Sequence, residues 1–193
     1  MKDKDFCLSS YIAFRYIWKD DMDFYTGFHH RNYQPVADAD KIPVVTSADI
    51  DREIRKQVDA LYEKHEHIGI LLSGGMDSAN LASYLRPGSH AYTFVSKSGV
   101  FDDDLRRAQV YCKKWGLVHH QVEITFDDYK HYTPIVMASK AAPVHSIEPQ
   151  IYKAAIQAKK DGVTMMLVGE SADLIFGGMD KLISPEWTFD SFA

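Results

Sequence analysis

Ile68-Gly69-Ile70-Leu71-Leu72-Ser73-Gly74-Gly75-Met76-Asp77-Ser78 decides the fold. The apolar run from Ile68 to Leu72 has polar residues before it and paired glycines after it, which predicts a strand buried on both faces. Asp77 to Leu85 then reads as a helix, closed by Pro87-Gly88. A strand covered on both faces belongs to a parallel sheet with helices above and below it.

Outward from this unit the alternation repeats. Ala91 to Val95 is the next strand, and Asp102-Asp103-Asp104 opens a helix to Trp115, because carboxylates in a first turn favour the helix dipole; Gly116 ends it. Val118 to Ile124 is a third strand and Phe126 to Lys140 a helix whose path Pro134 disturbs. Pro149 to Lys160 is helical, Val163 to Val168 is the last strand, and a turn and short helix start at Glu170. On the amino side, Ile50, Ile54, Val58, Leu61 and Tyr62 recur at helical spacing from Ala48 to His65, with Ser47 as N-cap. Phe6 to Trp18 reads as a short helix and turn, and Phe24 to Val45 as short strands or loops. The expected fold is α/β, a parallel-sheet three-layer sandwich with right-handed crossovers, with residues 1–47 as an N-terminal extension and 48–193 as the main domain.

A chain of 193 residues, 46% hydrophobic and 25% charged, supports one main hydrophobic core. The net charge of -5, without a Lys/Arg run, offers no grip on a nucleic-acid backbone, so nucleic acid is not expected as a partner. Neither a secretory apolar core nor an 18-residue apolar run occurs, and the expectation is a cytoplasmic chain without a membrane partner. Cys7 and Cys112 fit neither a redox nor a zinc spacing and are expected as packed, reduced thiols. His119 and His120, adjacent on a strand, point to opposite faces and cannot chelate one ion together. No cysteine or carboxylate cluster completes a metal site at His29-His30 or at His65 and His67. Asp102 to Asp104 are expected as a solvated helix start, and the aromatics between Phe6 and Phe28 as core or contact surface.

Ser73 to Ser78 falls at the carboxyl end of the first core strand, where open α/β sheets bind ligands. Gly74 and Gly75 let backbone N–H groups approach phosphate oxygens, with the following helix adding positive potential. Asp77 cannot bind phosphate favourably itself, so its carboxylate suits a bridging Mg²⁺. The string is neither G-x-x-x-x-G-K-[ST] nor G-x-G-x-x-G.

Ser73-Gly74-Gly75-Met76-Asp77-Ser78 resembles the SGGxDS loop of the N-type ATP pyrophosphatases, the adenine nucleotide alpha-hydrolase-like fold. Gly169-Glu170-Ser171-Ala172-Asp173-Leu174-Ile175-Phe176-Gly177-Gly178 resembles the GEGADELFGG signature of the asparagine synthetases within that group. Trp115 to Val122 is similar to a turn and strand of the same family, and Tyr11 to Tyr16 to the segment joining its glutaminase and synthetase domains. The resemblance implies that Leu71 and Val95 flank the adenine of ATP, that Ser73, Gly74, Gly75 and Ser78 hold its phosphates, and that Gly169 contacts the nucleotide through its backbone. It implies that Asp77 and Asp173 share Mg²⁺ and that Glu170 is the catalytic glutamate. The implied reaction adenylates a small carboxylate, releases pyrophosphate and lets an amine displace AMP.

The chain departs from the family pattern at Ser171, Leu174 and Met179. The family's catalytic lysine lies in helices beyond this stretch, and Lys181 has no alignment with it. Met1-Lys2 does not match the family's N-terminal cysteine nucleophile and Cys7 is not placed to replace it, so glutamine hydrolysis is not expected. Nitrogen would come from ammonia, another amine or a separate ammonia-supplying subunit, with a homo-oligomer left open. The alternatives are a nucleotide-binding fragment or subunit without catalysis of its own, and a tRNA-modifying adenylating enzyme. Pro143 to Pro149 falls where the family builds part of its amino-acid pocket.

Overall fold

The computed structural model describes residues 2–14, 16–24, 26, 36–170 and 172. Four parallel strands form one sheet: β1 (Ile68–Leu71), β2 (His90–Val95), β3 (Val118–Glu123) and β4 (Met165–Val168). Their order is β3-β2-β1-β4. Six α-helices accompany them among the described residues: α1 (Lys4–Phe14), α2 (Ser47–Tyr62), α3 (Met76–Ala82), α4 (Asp102–Trp115), α5 (Phe126–Lys140) and α6 (Ile147–Lys160).

The alternation along β1 divides the core. Ile68, Ile70 and Leu72 face one side, where they meet Val58 of α2, Ala82 of α3 and Ala108 and Cys112 of α4. Leu71 faces the other side with Tyr92, Phe94 and Val122, against Ala154 and Ala158 of α6. Helices therefore cover both faces, and the expected three-layer α/β sandwich is the observed one. Ile68, Ile70 and Leu72 are almost wholly buried, each contributing about 1.5–3 kcal/mol of apolar transfer. Cys7 and Cys112 are buried free thiols, and burial pushes the Cys112 thiol up to about 11.

Several boundaries move for local reasons. The cap of α2 is Thr46, not Ser47: Thr46 Oγ1 accepts the Asp49 N–H at 3.2 Å, and the Asp49 carboxylate accepts the Thr46 N–H at 2.9 Å. A capping box requires a polar side chain three residues on, which Thr46 finds in Asp49 and Ser47 would not find in Ile50. Helix α6 starts at Ile147, two residues before the expected Pro149; Glu148 accepts the His145 N–H at 2.7 Å, and Pro149 sits in the first turn, where its missing donor is harmless. Helix α5 runs through Pro134, held to α6 by the Lys153–Asp128 pair at 2.8 Å and by the Tyr132–Tyr152 ring contact. The N-terminal residues are docked on the domain: Cys7, Ile17 and Phe24 pack with Ala142 and Met137 at the end of α5.

Candidate active site

Sequence order and strand order part company at β1. The chain moves outward from β1 to β2 to β3, then returns so that β4 lies on the opposite side of β1. The crevice above the carboxyl ends of β1 and β4 is the topological switch point, where α/β sheets leave room for a ligand. The register aligns the two ends, Leu71 beside Val168, so the loops after these strands emerge together.

The loop after β1 is closed by its own hydroxyls. Ser78 Oγ accepts the Ser73 N–H at 3.2 Å, lies 3.0 Å from Ser73 Oγ and donates to the Gly75 carbonyl at 3.2 Å. Ser78 is buried, so its hydroxyl shapes the loop from inside. Gly74 has φ +75°, and a Cβ there would lie 2.4 Å from the Asp104 carbonyl oxygen. The loop thus passes flush against the first turn of α4, where Arg107 Nε donates to the Gly74 carbonyl at 3.1 Å and pairs through its other nitrogen with Asp104 at 2.6 Å. Helix α3 is only seven residues long, so the loop's own N–H groups outweigh its dipole for anion binding.

The loop after β4 seats on the same place. A Cβ on Gly169 would fall 2.8 Å from the Ser78 nitrogen and 2.9 Å from its Cα, so this position admits only glycine without backbone movement. Glu170 follows at once and opens on the crevice.

Between these loops lies a cavity of about 530 Å³. One wall is apolar, built by Leu71, Phe94, Phe101, Ile147 and Ile151. The other end carries Ser73, Gly75, Ser78 and the carboxylates of Asp77, Asp104 and Glu170. His145, Ser146 and Gln150 from the start of α6 complete the rim, with Gln150 hydrogen-bonded to Tyr129 of α5. The lining combines an apolar set with a polar, carboxylate-bearing set, the mix a ligand with an apolar part and a polar part needs. The carboxylate oxygens of Asp77 and Glu170 are hard donors of the kind Mg²⁺ takes, whereas Asp104 is already paired with Arg107. Asp77 is exposed in the first turn of α3 and available to an ion.

Of the residues singled out in the sequence, Leu71, Ser73, Gly75, Asp77, Ser78, Gly169 and Glu170 line this cavity. Gly74 supports it from below, buried under α4, and Val95 lies outside the lining, where Thr93 and Phe94 of the same strand take part. Asp173 falls outside the described residues, as do Ser171 and residues 174–193. Asp104 was expected as part of a solvated helix start, yet it faces the cavity and leaves Asp102 and Asp103 to the solvent. Arg107 carries no motif of its own; its only sequence signal is the spacing of three from Asp104. Behind the cavity Thr93 donates to the Leu72 carbonyl at 2.7 Å and lies 2.9 Å from His119 Nε2. Burial, and next the neighbouring His120, hold His119 below its ordinary pKa.

The fold and crevice define a three-layer α/β domain of the PP-loop type, with glycine turns after two adjacent parallel strands. Residues 49–193 match the family profile described as asparagine synthase, and the chain belongs to that family. It is 28% identical over 128 residues to glutamine-hydrolyzing asparagine synthetase 2 of Bacillus subtilis (strain 168), covering 61% of this chain and 17% of that protein. Against glutamine-hydrolyzing asparagine synthetase B of Escherichia coli (strain K12) it is 23% identical over 192 residues, 89% of this chain and 34% of that protein. A rice relative, glutamine-hydrolyzing asparagine synthetase 2 of Oryza sativa subsp. japonica, is 31% identical over 124 residues, 57% of this chain and 21% of its own length. The chain therefore spans between 17% and 34% of the length of these relatives.

Proposed function

We propose that this chain carries the ATP-dependent half of an amide-forming ligase, in which a carboxylate is adenylated and then taken by ammonia or another amine. The observation that carries this reading is the direct seating of Gly169 on Ser78, which brings Glu170 to the loop that would hold the phosphates. Adenine fits the wall of Leu71, Phe94 and Phe101, and the N–H groups around Gly74 and Gly75 suit the phosphates. A carboxylate oxygen attacks the α-phosphorus, the bond to the β-phosphate oxygen breaks, and pyrophosphate leaves with the electron pair. The amine nitrogen then attacks the acyl carbon, AMP departs, and Glu170 would accept the proton the nitrogen sheds. Asp77, with Asp173, would hold Mg²⁺, which supplies charge stabilisation on the departing pyrophosphate.

The names of the relatives point to aspartate as the first carboxylate to try and asparagine as the product. Ammonia would reach the site free or from a separate glutaminase subunit. The test incubates the full chain with MgATP, ammonium and a panel of amino-acid carboxylates. Pyrophosphate should appear with the right carboxylate, and AMP in equal amount. A folded protein that binds ATP yet releases no pyrophosphate with any carboxylate would overturn the ligase reading. A second reading, a nucleotide-binding unit that works only with a further chain, is favoured by how far the relatives extend past the matched stretch, and that same result would support it.

A further inference from the structure

Three side chains that the crevice does not use meet at the opposite, amino-terminal edge of the sheet. His90 begins β2, His120 is third in β3, and Asp161 follows the last turn of α6. One ligand atom from each lies within 4.8 Å of the others. His120 Nδ1 faces Asp161 Oδ2 at 3.6 Å, beyond hydrogen-bond length, and its buried Nε2 has no hydrogen-bond partner among the described residues. The His90 and His120 rings are 4.8 Å apart, and Tyr92 stacks on His120 at 4.7 Å with the planes 15° from parallel. The Tyr92 hydroxyl donates to Asp161 Oδ2 at 2.9 Å and lies 3.3 Å from His90 Nδ1.

We propose that His90, His120 and Asp161 form a binding site for a borderline transition-metal dication such as Zn²⁺, with Tyr92 as an outer-shell donor that orients the Asp161 carboxylate. Two imidazoles and a carboxylate make a donor set that zinc accepts and Mg²⁺ does not favour. Around a tetrahedral ion with bonds near 2.0–2.1 Å, neighbouring donor atoms stand roughly 3.3 Å apart. The His120–Asp161 edge of 3.6 Å is already near this, and the widest separation closes by a movement of about 1.5 Å. Asp161 has room to adjust toward an ion, because it is exposed on a turn and Gly162 follows it. A fourth position is left for water. The ion would tie β2, β3 and the turn between α6 and β4 together, at the opposite end of the strands from the crevice.

The test uses the tag-free full chain, stripped with a chelator and titrated calorimetrically with ZnCl₂, with Co²⁺ absorption as a second readout. One ion per chain should bind, excess Mg²⁺ should not displace it, and the melting temperature should rise. Asp161→Asn, on an exposed turn and so safe for folding, and His90→Gln should each weaken Zn²⁺ at least about 10-fold and abolish the visible Co²⁺ band. Asp77→Asn, in the phosphate loop, should leave Zn²⁺ affinity unchanged. A folded chain that binds no stoichiometric Zn²⁺, or binding that survives both Asp161→Asn and His90→Gln, would overturn the proposal. Neither result bears on the ligase reading, whose test needs no transition metal.

Discussion

Replacing Gly74 with alanine tests how the loop after β1 is held. Two costs can be separated. The residue has φ +75°, and an alanine there incurs about 1–2 kcal/mol of left-handed strain. Its Cβ would also stand 2.4 Å from the Asp104 carbonyl oxygen and 3.0 Å from the Asp104 Cα, whereas a carbon–oxygen contact settles at about 3.3 Å. The loop or the first turn of α4 must therefore retreat by about 0.9 Å, adding about 1–3 kcal/mol of overpacking. Gly88→Ala supplies the control, because Gly88 has φ +88° with nothing within 4 Å of its notional Cβ, so only the strain applies. Urea unfolding should put Gly74→Ala about 1–3 kcal/mol below Gly88→Ala. Calorimetry should show ATP bound at least about 10-fold more weakly by Gly74→Ala alone, since displacements near 1 Å at a reacting site cost up to about 10²-fold. Equal stability of the two variants, or unchanged ATP affinity in Gly74→Ala, would refute the contact with α4 as the determinant of loop shape.

Glu170→Gln should leave ATP binding intact while slowing amide formation about 10²- to 10⁴-fold, followed by product assay against pyrophosphate release. Thr46→Ala should cost about 1 kcal/mol by loss of the capping box, whereas Ser47→Ala should stay within about 0.5 kcal/mol, measured by chemical denaturation. Burial pushes the Asp128 carboxyl up, but its bonds to Lys153 and Thr125 outweigh this and hold it below its ordinary value. The stability it contributes is therefore present above the unfolded carboxyl pKa of about 3.9 and is lost as pH falls through the folded value. Asp128→Asn should lower the melting temperature near about pH 7, and the gap to the parent should close in acid.

Much of the sheet was legible because the strands are short and punctuated, and the central strand β1 is wholly apolar apart from Gly69. Ile68 to Leu72 and Ala91 to Val95 lie within one residue of the observed strands. The two glycine motifs could be read as strand-end turns for the same reason. What escaped were relations between distant residues. Nothing in the local pattern tells Asp104 from Asp102 and Asp103, because only the docking of α4 on Gly74 turns Asp104 toward the crevice. Thr93 and Phe94 line the cavity where Val95 was named, since the ligand face is set by how β1 and β4 end beside β2. The pairing of His120 with His90 and Asp161 is equally invisible from spacing, as it depends on strand register and on where α6 ends. The helix from Phe126 to Lys140 was legible at its observed bounds, with Pro134 inside it.

The pairing of β1 with β4 also sets when the crevice between their loops can exist. Thr164 reaches the His67 carbonyl across 97 residues, so half of the crevice belongs to a strand synthesised long after the phosphate loop. During translation the segment from β1 to β3 can pair while Gly169 is still inside the ribosome, leaving one edge of β1 bare. Closing so long a loop is the slow step in assembling such a sheet. Any ligand bound between the two loops would favour the state in which that last strand has joined, and so would brace the latest-formed part of the sheet.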